Sequence, residues 1–233
     1  MWRTLIPTKK VTGHTMAFKL AINNDIAVIT FDDGKVNAVG FELIPQFNDA
    51  LDEAEKNAKA VVLHGGEGKF CGGFDLSVMK ADDKAKQHEL VSKGADLIVR
   101  LYSFPLPVVV AAEGHSIAMG AIMLMAADLR IGKDADTKYG LNETAIGMVL
   151  PPFGMELAKA RLANTSQTEA LLFSRIYQGS EAVKAGFLDA AVPQEQVLAT
   201  AMGYAEKLKM LPRKSFAESK IQLRKETIEK MKA

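Results

Sequence analysis

Apolar and polar side chains alternate in the first regular stretch of the chain, where Phe18, Leu20 and Ile22 are interleaved with Lys19, Ala21 and Asn23. The turn dipeptide Asn24-Asp25 separates this run from a second, Ile26 to Phe31, and the pair predicts a β-hairpin. The period then changes. From Phe41 to Ala58 the residues Ile44, Phe47, Leu51 and Ala54 fall three and four apart, the spacing of an amphipathic helix. Ala60 to Leu63 predicts a short buried strand that runs into a glycine-rich loop. Leu90, Leu97, Ile98 and Leu101 give a second helix, which Pro105 and Pro107 end. Val108 to Ala112 is the next buried strand, followed by a turn, an apolar helix beginning near Met119, and a strand at Leu129 to Ile131. Helical patterns dominate after Pro151, with Leu188 to Val192 as one late strand. Strands alternating with helices, with crossovers long enough for parallel pairing, predict an α/β architecture with a helical C-terminal part.

Residues 1–15 show no hydrophobic period and carry Arg3, Lys9 and Lys10 as their strong charges. The segment lacks the apolar core and cleavage signature of a targeting peptide, so it is set aside as an extension upstream of Met16, disordered or of expression origin. The folded core is expected over 16–192 and a C-terminal helical region over 193–233.

Composition narrows the function. With 233 residues and 48% hydrophobic content, one compact domain can bury a sizeable core. Lysine plus arginine (29) nearly balance aspartate plus glutamate (28), leaving a net charge of +1 and no basic face for nucleic acid. A single cysteine cannot form an internal disulfide, which fits a reducing compartment and predicts a cytoplasmic protein. No run approaches the ~18 apolar residues of a membrane helix. His14, His64, His88 and His115 lack metal-ligand spacing, so no metal is expected.

Two loop-to-helix junctions carry chemical potential. In Gly65-Gly66-Glu67-Gly68-Lys69-Phe70-Cys71-Gly72-Gly73-Phe74-Asp75-Leu76, five glycines in nine residues let the backbone approach a ligand closely. Asp75 is placed to cap the following helix, turning nearby amides outward. The glycine spacing misses the phosphate-loop pattern, and no Ser or Thr follows Gly68-Lys69. The second junction is Glu113-Gly114-His115-Ser116-Ile117-Ala118-Met119-Gly120, where a buried strand gives way to a helix whose first N–H groups can aim at a developing negative charge. Each junction alone is also compatible with an ordinary turn or a packing helix.

Read together and in order, these segments resemble the crotonase superfamily, the enoyl-CoA hydratase and isomerase fold. The resemblance runs from about Phe18 to about Leu223. It rests on Lys35-Val36-Asn37-Ala38, Phe70 to Leu76 and Glu113 to Gly120. Ala127 to Ile131, Tyr139-Gly140-Leu141-Asn142-Glu143, Ser180-Glu181-Ala182 and Gly186 to Asp189 complete it. It implies a crotonase-like spiral of ββα turns, about four of them, assembled as a homotrimer or a dimer of trimers.

Carried over by position, the family's two oxyanion amides fall on Phe74 and Met119. They are expected close together and free of protein carbonyls, although Met119 stands where glycine is usual. The coenzyme A and substrate contacts fall on Lys35, Val36, Ala38, Cys71, Gly73, Asp75, Leu76 and Gly120. Lys35 is either a phosphate partner or a solvated turn lysine. No permanently bound cofactor is implied, because coenzyme A arrives as part of an acyl-CoA substrate.

Hydratases of the family hold a water between two glutamates. One of those positions is Ile122 here, which cannot hold a proton, and the other is Glu143. The string Gly140 to Thr144 is similar to the Δ3,Δ2-enoyl-CoA isomerases, which keep only this acid. The resemblance therefore implies an isomerase with Glu143 as proton shuttle, its pKa raised by an apolar wall of Ile122, Ile146 and Leu150. Weak hydration, thioester hydrolysis or decarboxylation remains an alternative, as does a non-catalytic acyl-CoA-binding or assembly protein.

The other polar groups point to structure. Asp75 and Asp128 read as caps or structural pairs, Glu113 as a partner of backbone or of a neighbouring subunit, and Cys71 as a packing residue. Charges of both signs from Lys207 to Lys232 read as a solvated amphipathic helix. Family members usually continue beyond this point with a further helix over the acyl pocket or a neighbouring subunit, so a shortened sequence or a more open pocket is expected.

Overall fold

The computed structural model describes residues 3–4 and 17–232. The hairpin forms as its alternation predicts, with β2 (Ala17–Asn23) antiparallel to β3 (Ile26–Asp32). Asn24 and Asp25 both have positive φ, 50° and 61°, as a two-residue turn matched to strand twist requires. Arg3–Thr4 form a short strand, β1, antiparallel to β2, so two residues of the segment set aside join the sheet edge. The rest of residues 1–15, with His14, lies outside the described residues.

Beyond the hairpin the sheet is parallel. β4 (Ala60–His64), β6 (Val108–Ala112), β8 (Leu129–Lys133) and β10 (Ala190–Val192) extend it in the order β1-β2-β3-β4-β6-β8-β10. β4 and β6, at the centre of this sheet, are buried almost throughout, which matches their apolar runs. A second, three-stranded parallel sheet is formed by β5 (Lys69–Cys71), β7 (His115–Ile117) and β9 (Tyr139–Gly140).

Each turn of the chain places one strand in the large sheet and one in the small sheet, then a helix. β4 and β5 lead to α2 (Leu76–Met79) and α3 (Lys84–Tyr102), β6 and β7 to α4 (Met119–Ala126), and β8 and β9 to α5 (Pro152–Arg161). The first turn runs from β3 through an isolated parallel bridge, Val39 to Phe74, into α1 (Leu43–Asn57). This is the ββα spiral the resemblance implies. The short strands were read from the sequence as loop and turn.

After α6 (Asn164–Leu171) and α7 (Gly179–Ala185), the last two helices belong to the core. α8 (Gln194–Leu208) lays Val197, Ala201 and Ala205 on the sheet face formed by Ile26, Val28, Val62, Val109 and Ala111. α9 (Arg213–Lys232) packs on α3 and α5. Its expected solvated character is corrected at Lys220 and Arg224, which are buried and paired with Asp128 at 2.7 and 2.9 Å. Further bonds run to carbonyls at and just beyond the C-terminal end of α3. Lys220 Nζ donates to Phe104 O and Leu106 O, and Arg224 to Tyr102 O. Cations at a helix C-terminus complement its dipole, so the two residues fasten α9 to α3. Asp128 is thus a structural anion, as its position predicts, and no described helix is long and apolar enough to cross a membrane.

Candidate active site

Phe74 follows β5, where the chain is pinned to Val39. Val39 N–H donates to Gly73 O (2.8 Å) and Asp75 N–H donates to Val39 O (2.9 Å). In a parallel bridge the residue between those two groups turns its own N–H the other way, so the Phe74 amide faces away from Val39. Met119 is reached from the opposite side. Ala118 N–H donates to Gly140 O (3.0 Å), and α4 begins at the next residue, whose amide has no partner within the helix.

Among the described residues, neither the Phe74 nor the Met119 amide donates to a protein acceptor. Each follows a residue with positive φ, Gly73 at 116° and Ala118 at 52°, which turns the next peptide out of the local ladder. For an alanine this conformation is strained, and such strain gathers at functional sites. The two loops touch, because a Cβ built on Gly73 would lie 3.9 Å from Met119 N and 3.3 Å from Ala118 Cβ. Residue 119 itself is helical and not at positive φ, so the methionine in place of glycine leaves its amide where the helix N-terminus puts it.

β9 carries the acid to the same region. Gly140, which accepts the Ala118 bond, pairs with Ile117, and three residues later Glu143 opens the 3-10 turn Thr144–Ile146. Glu143 is 7% exposed, and its Oε2 is buried with no hydrogen-bond partner. Burial pushes its pKa above the ordinary carboxylate value, outweighing the opposing hydrogen bond from its own backbone N–H. Ile122 and Leu150 are buried and converge, their Cδ1 atoms 2.8 and 3.2 Å from a Cβ built on Gly154 of α5. Ile146 does not belong to that wall. It is 56% exposed, on the turn after Glu143, and Met148 and Val149 are exposed as well.

A cleft of about 420 Å³ gathers Lys35, Ala38 and Asp75 with Asp33, Phe41 and Val78. Asp75 caps α2, accepting from Ser77 N–H (2.8 Å) and Oγ–H (2.7 Å), as its sequence position predicts. Val36 and Leu76 are exposed near it, and Val36 packs on Gly72, whose Cβ would lie 3.0 Å from Val36 Cβ.

Two residues assigned to ligand contact are core instead. Cys71 is fully buried with its thiol pushed up to about 12 by burial, a neutral packing group. Gly120 lets α4 close onto β5, since a Cβ there would sit 2.0 Å from the Cys71 carbonyl oxygen. Asn37, which the sequence marks only through the Lys35-Val36-Asn37-Ala38 motif, fixes the cleft. Buried and at φ 56°, it accepts from Asp33 N–H and donates to Gly65 O and Phe70 O. An asparagine in a turn after a strand is the available signal, because this side chain tolerates left-handed backbone. Glu113 meets His64 Nε2 at 3.0 Å rather than backbone, and no three His, Cys, Asp or Glu among the described residues gather as a metal site.

A family model described as enoyl-CoA hydratase/isomerase matches residues 21–233. The chain is 30% identical over 211 residues to the mitochondrial enoyl-CoA delta isomerase 1 of Rattus norvegicus, covering 88% of this chain and 73% of that protein. Among solved structures, an enoyl-CoA hydratase of Mycobacterium ulcerans, EchA3, is similar with a TM-score of 0.89 and 34% identity, over 92% of this chain and 94% of that one. A Mycobacterium tuberculosis protein described in one structure as an enoyl-CoA isomerase gives a TM-score of 0.89 and 33% identity over the same shares; a second structure of it, described as a probable enoyl-CoA hydratase, gives 0.90 and 33% over 92% of this chain and 91% of that one. The chain spans 26% of the peroxisomal fatty acid β-oxidation multifunctional protein AIM1 of Arabidopsis thaliana, which it also matches.

Proposed function

The chain belongs to the enoyl-CoA hydratase/isomerase family of enzymes, and from that premise we propose that it moves the double bond of a 3-enoyl-CoA to the 2-position, with Glu143 as the only proton carrier. The observation that supports this most is the pairing of a buried carboxylate at Glu143, whose Oε2 has no partner, with an aliphatic Ile122 at the position of the family's second acid.

In the proposed mechanism the thioester oxygen accepts hydrogen bonds from the Phe74 and Met119 amides. The ionised Glu143 removes a proton from C2, and the charge spreads over the dienolate onto the oxygen held by those amides. Protonated Glu143 then returns the proton to C4, leaving the double bond between C2 and C3 and the carboxylate restored. A raised pKa suits this cycle, because the group must both take and give a proton near neutral pH. Coenzyme A enters as part of the substrate, with Lys35, Ala38 and Asp75 beside it in the cleft. Hydration is disfavoured, since Ile122, at the position of the family's second acid, cannot hold a water while C2 is protonated.

The proton path is the test. In deuterated water, one turnover of a 3-enoyl-CoA carrying protium at C2 is expected to leave a measurable fraction of that protium at C4. Complete replacement by solvent deuterium at C4 in the first turnover would overturn a carrier shielded from solvent between the two transfers.

Assembly as a homotrimer, or a dimer of trimers, is part of the same proposal. Ile146, Met148, Val149, Leu172 and Phe173 are exposed on neighbouring segments, joined by bonds from Thr144 Oγ1 to Leu171 O and from Ala145 N–H to Ser174 Oγ. An apolar patch of this kind calls for cover, and a second copy of the chain supplies it. A monomer mass at micromolar concentration would remove this part of the reading.

A further inference from the structure

Gly94 lies in the interior of α3, where glycine is less stable than alanine and requires a reason. The reason is steric. A Cβ built there would sit 2.6 Å from Phe74 Cζ, 2.7 Å from Phe74 Cε1 and 3.3 Å from Met119 Cε. The two residues whose amides stand free therefore rest their side chains on the same point of one helix.

Met119 is 1% exposed and cannot move far. Phe74 is only partly buried, and because its ring rests on Gly94 of α3, what is exposed of the residue lies away from that contact. Val91 and Ala95 of α3, and Val78 and Met79 of α2, are likewise apolar and incompletely covered. Beside two free amides, this is an unfilled apolar surface, and an acyl chain attached to the carbonyl held there is the ligand part that matches it.

We propose that the Phe74 ring, seated on Gly94 and backed by the Met119 methyl, is the floor of the acyl-chain channel, and that the absence of a side chain at position 94 sets the chain length accepted. The proposal rests on the Phe74 and Met119 amides binding the thioester, but not on which reaction follows. A methyl at position 94 has no room unless the ring tips away from α3, into the channel. The carbonyl end would be served as before, while carbons further along the chain would meet the ring.

Binding of a ladder of saturated acyl-CoA thioesters, from short to long chains, reads this without any turnover. Gly94→Ala is expected to weaken long-chain binding by roughly 10–200-fold, the range for one methyl group in a fitted pocket. Short-chain binding should stay within a few-fold. Adding Phe74→Leu to Gly94→Ala should restore the long chains, since the shorter side chain leaves space for the new methyl. Phe74→Leu alone should shift preference toward longer chains, which keeps the test open if Gly94→Ala does not fold. An equal loss at every chain length in Gly94→Ala, or an unchanged long-to-short ratio in Phe74→Leu, would overturn the proposal. If isomerisation is absent while the ladder behaves as expected, the reaction assignment fails and the channel stands.

Discussion

Glu143→Gln is expected to lower isomerase turnover by roughly 10²–10⁴-fold, the usual contribution of a positioned general base. Acyl-CoA binding should change little, because glutamine keeps the shape and neither the amides of Phe74 and Met119 nor the Lys35 cleft is touched. Stability should move the other way. Glu143 has a folded pKa raised above its unfolded value of 4.5, so its favourable contribution is complete below that pH and is lost as pH rises through the folded value. At neutral pH the wild type therefore holds a carboxylate in a place that disfavours its charge, and glutamine relieves that cost. The thermal midpoint of Glu143→Gln should exceed that of the wild type at neutral pH, with the gap closing as pH falls toward 4.5. A variant that is both less active and less stable at neutral pH would mark Glu143 as structural. One that keeps most of the isomerase rate would end the proposed mechanism while leaving the fold intact.

Asp128→Asn should bring the largest loss of stability. Asp128 Oδ2 accepts from Lys220 Nζ and from Val108 N–H, both at 2.7 Å, and Oδ1 meets Arg224 at 2.9 Å. Lys220 is already held down to about 8 by burial, so removing its counter-charge leaves a cation with little to favour it. Breaking a buried ion pair from one side costs about 3–5 kcal/mol, and urea unfolding should show a loss of that size. Replacing the whole group by Asp128→Asn, Lys220→Met and Arg224→Leu should recover much of it, since apolar packing often substitutes for a buried ionic cluster. If Asp128→Asn alone costs less than about 1 kcal/mol, the α3 carbonyls suffice to hold the two cations, and the anion is dispensable.

What the sequence made legible follows from element length. β4 and β6 stand out because four and five consecutive buried positions leave an apolar run, and α1 because fifteen residues give room for a period. β5, β7 and β9 span two or three residues each, too few for any alternation to register, so the small sheet was read as loop and turn. Yet that sheet aligns Phe74, Met119 and Glu143, which is why the site was found by resemblance and not by periodicity. Ile146 looked like pocket wall because it is apolar and three residues from the acid. The 3-10 turn, wound at about three residues per turn, leaves it exposed instead. Lys220 and Arg224 looked solvated because their helix carries charges on every side, and only Asp128, at the end of a buried helix, hinted at a partner.

The central claim is that one acid at Glu143 makes this enzyme an isomerase. Its most direct test is wild-type protein incubated in parallel with a 3-enoyl-CoA and with a 2-enoyl-CoA, following both the shifted double bond and the hydrated product. The 3-enoyl-CoA should be converted to the 2-enoyl isomer much faster than the 2-enoyl-CoA gains water. Hydration of the 2-enoyl-CoA far outrunning isomerisation would contradict the account, because a site with Ile122 opposite Glu143 would then be activating a water that it has no second acid to hold.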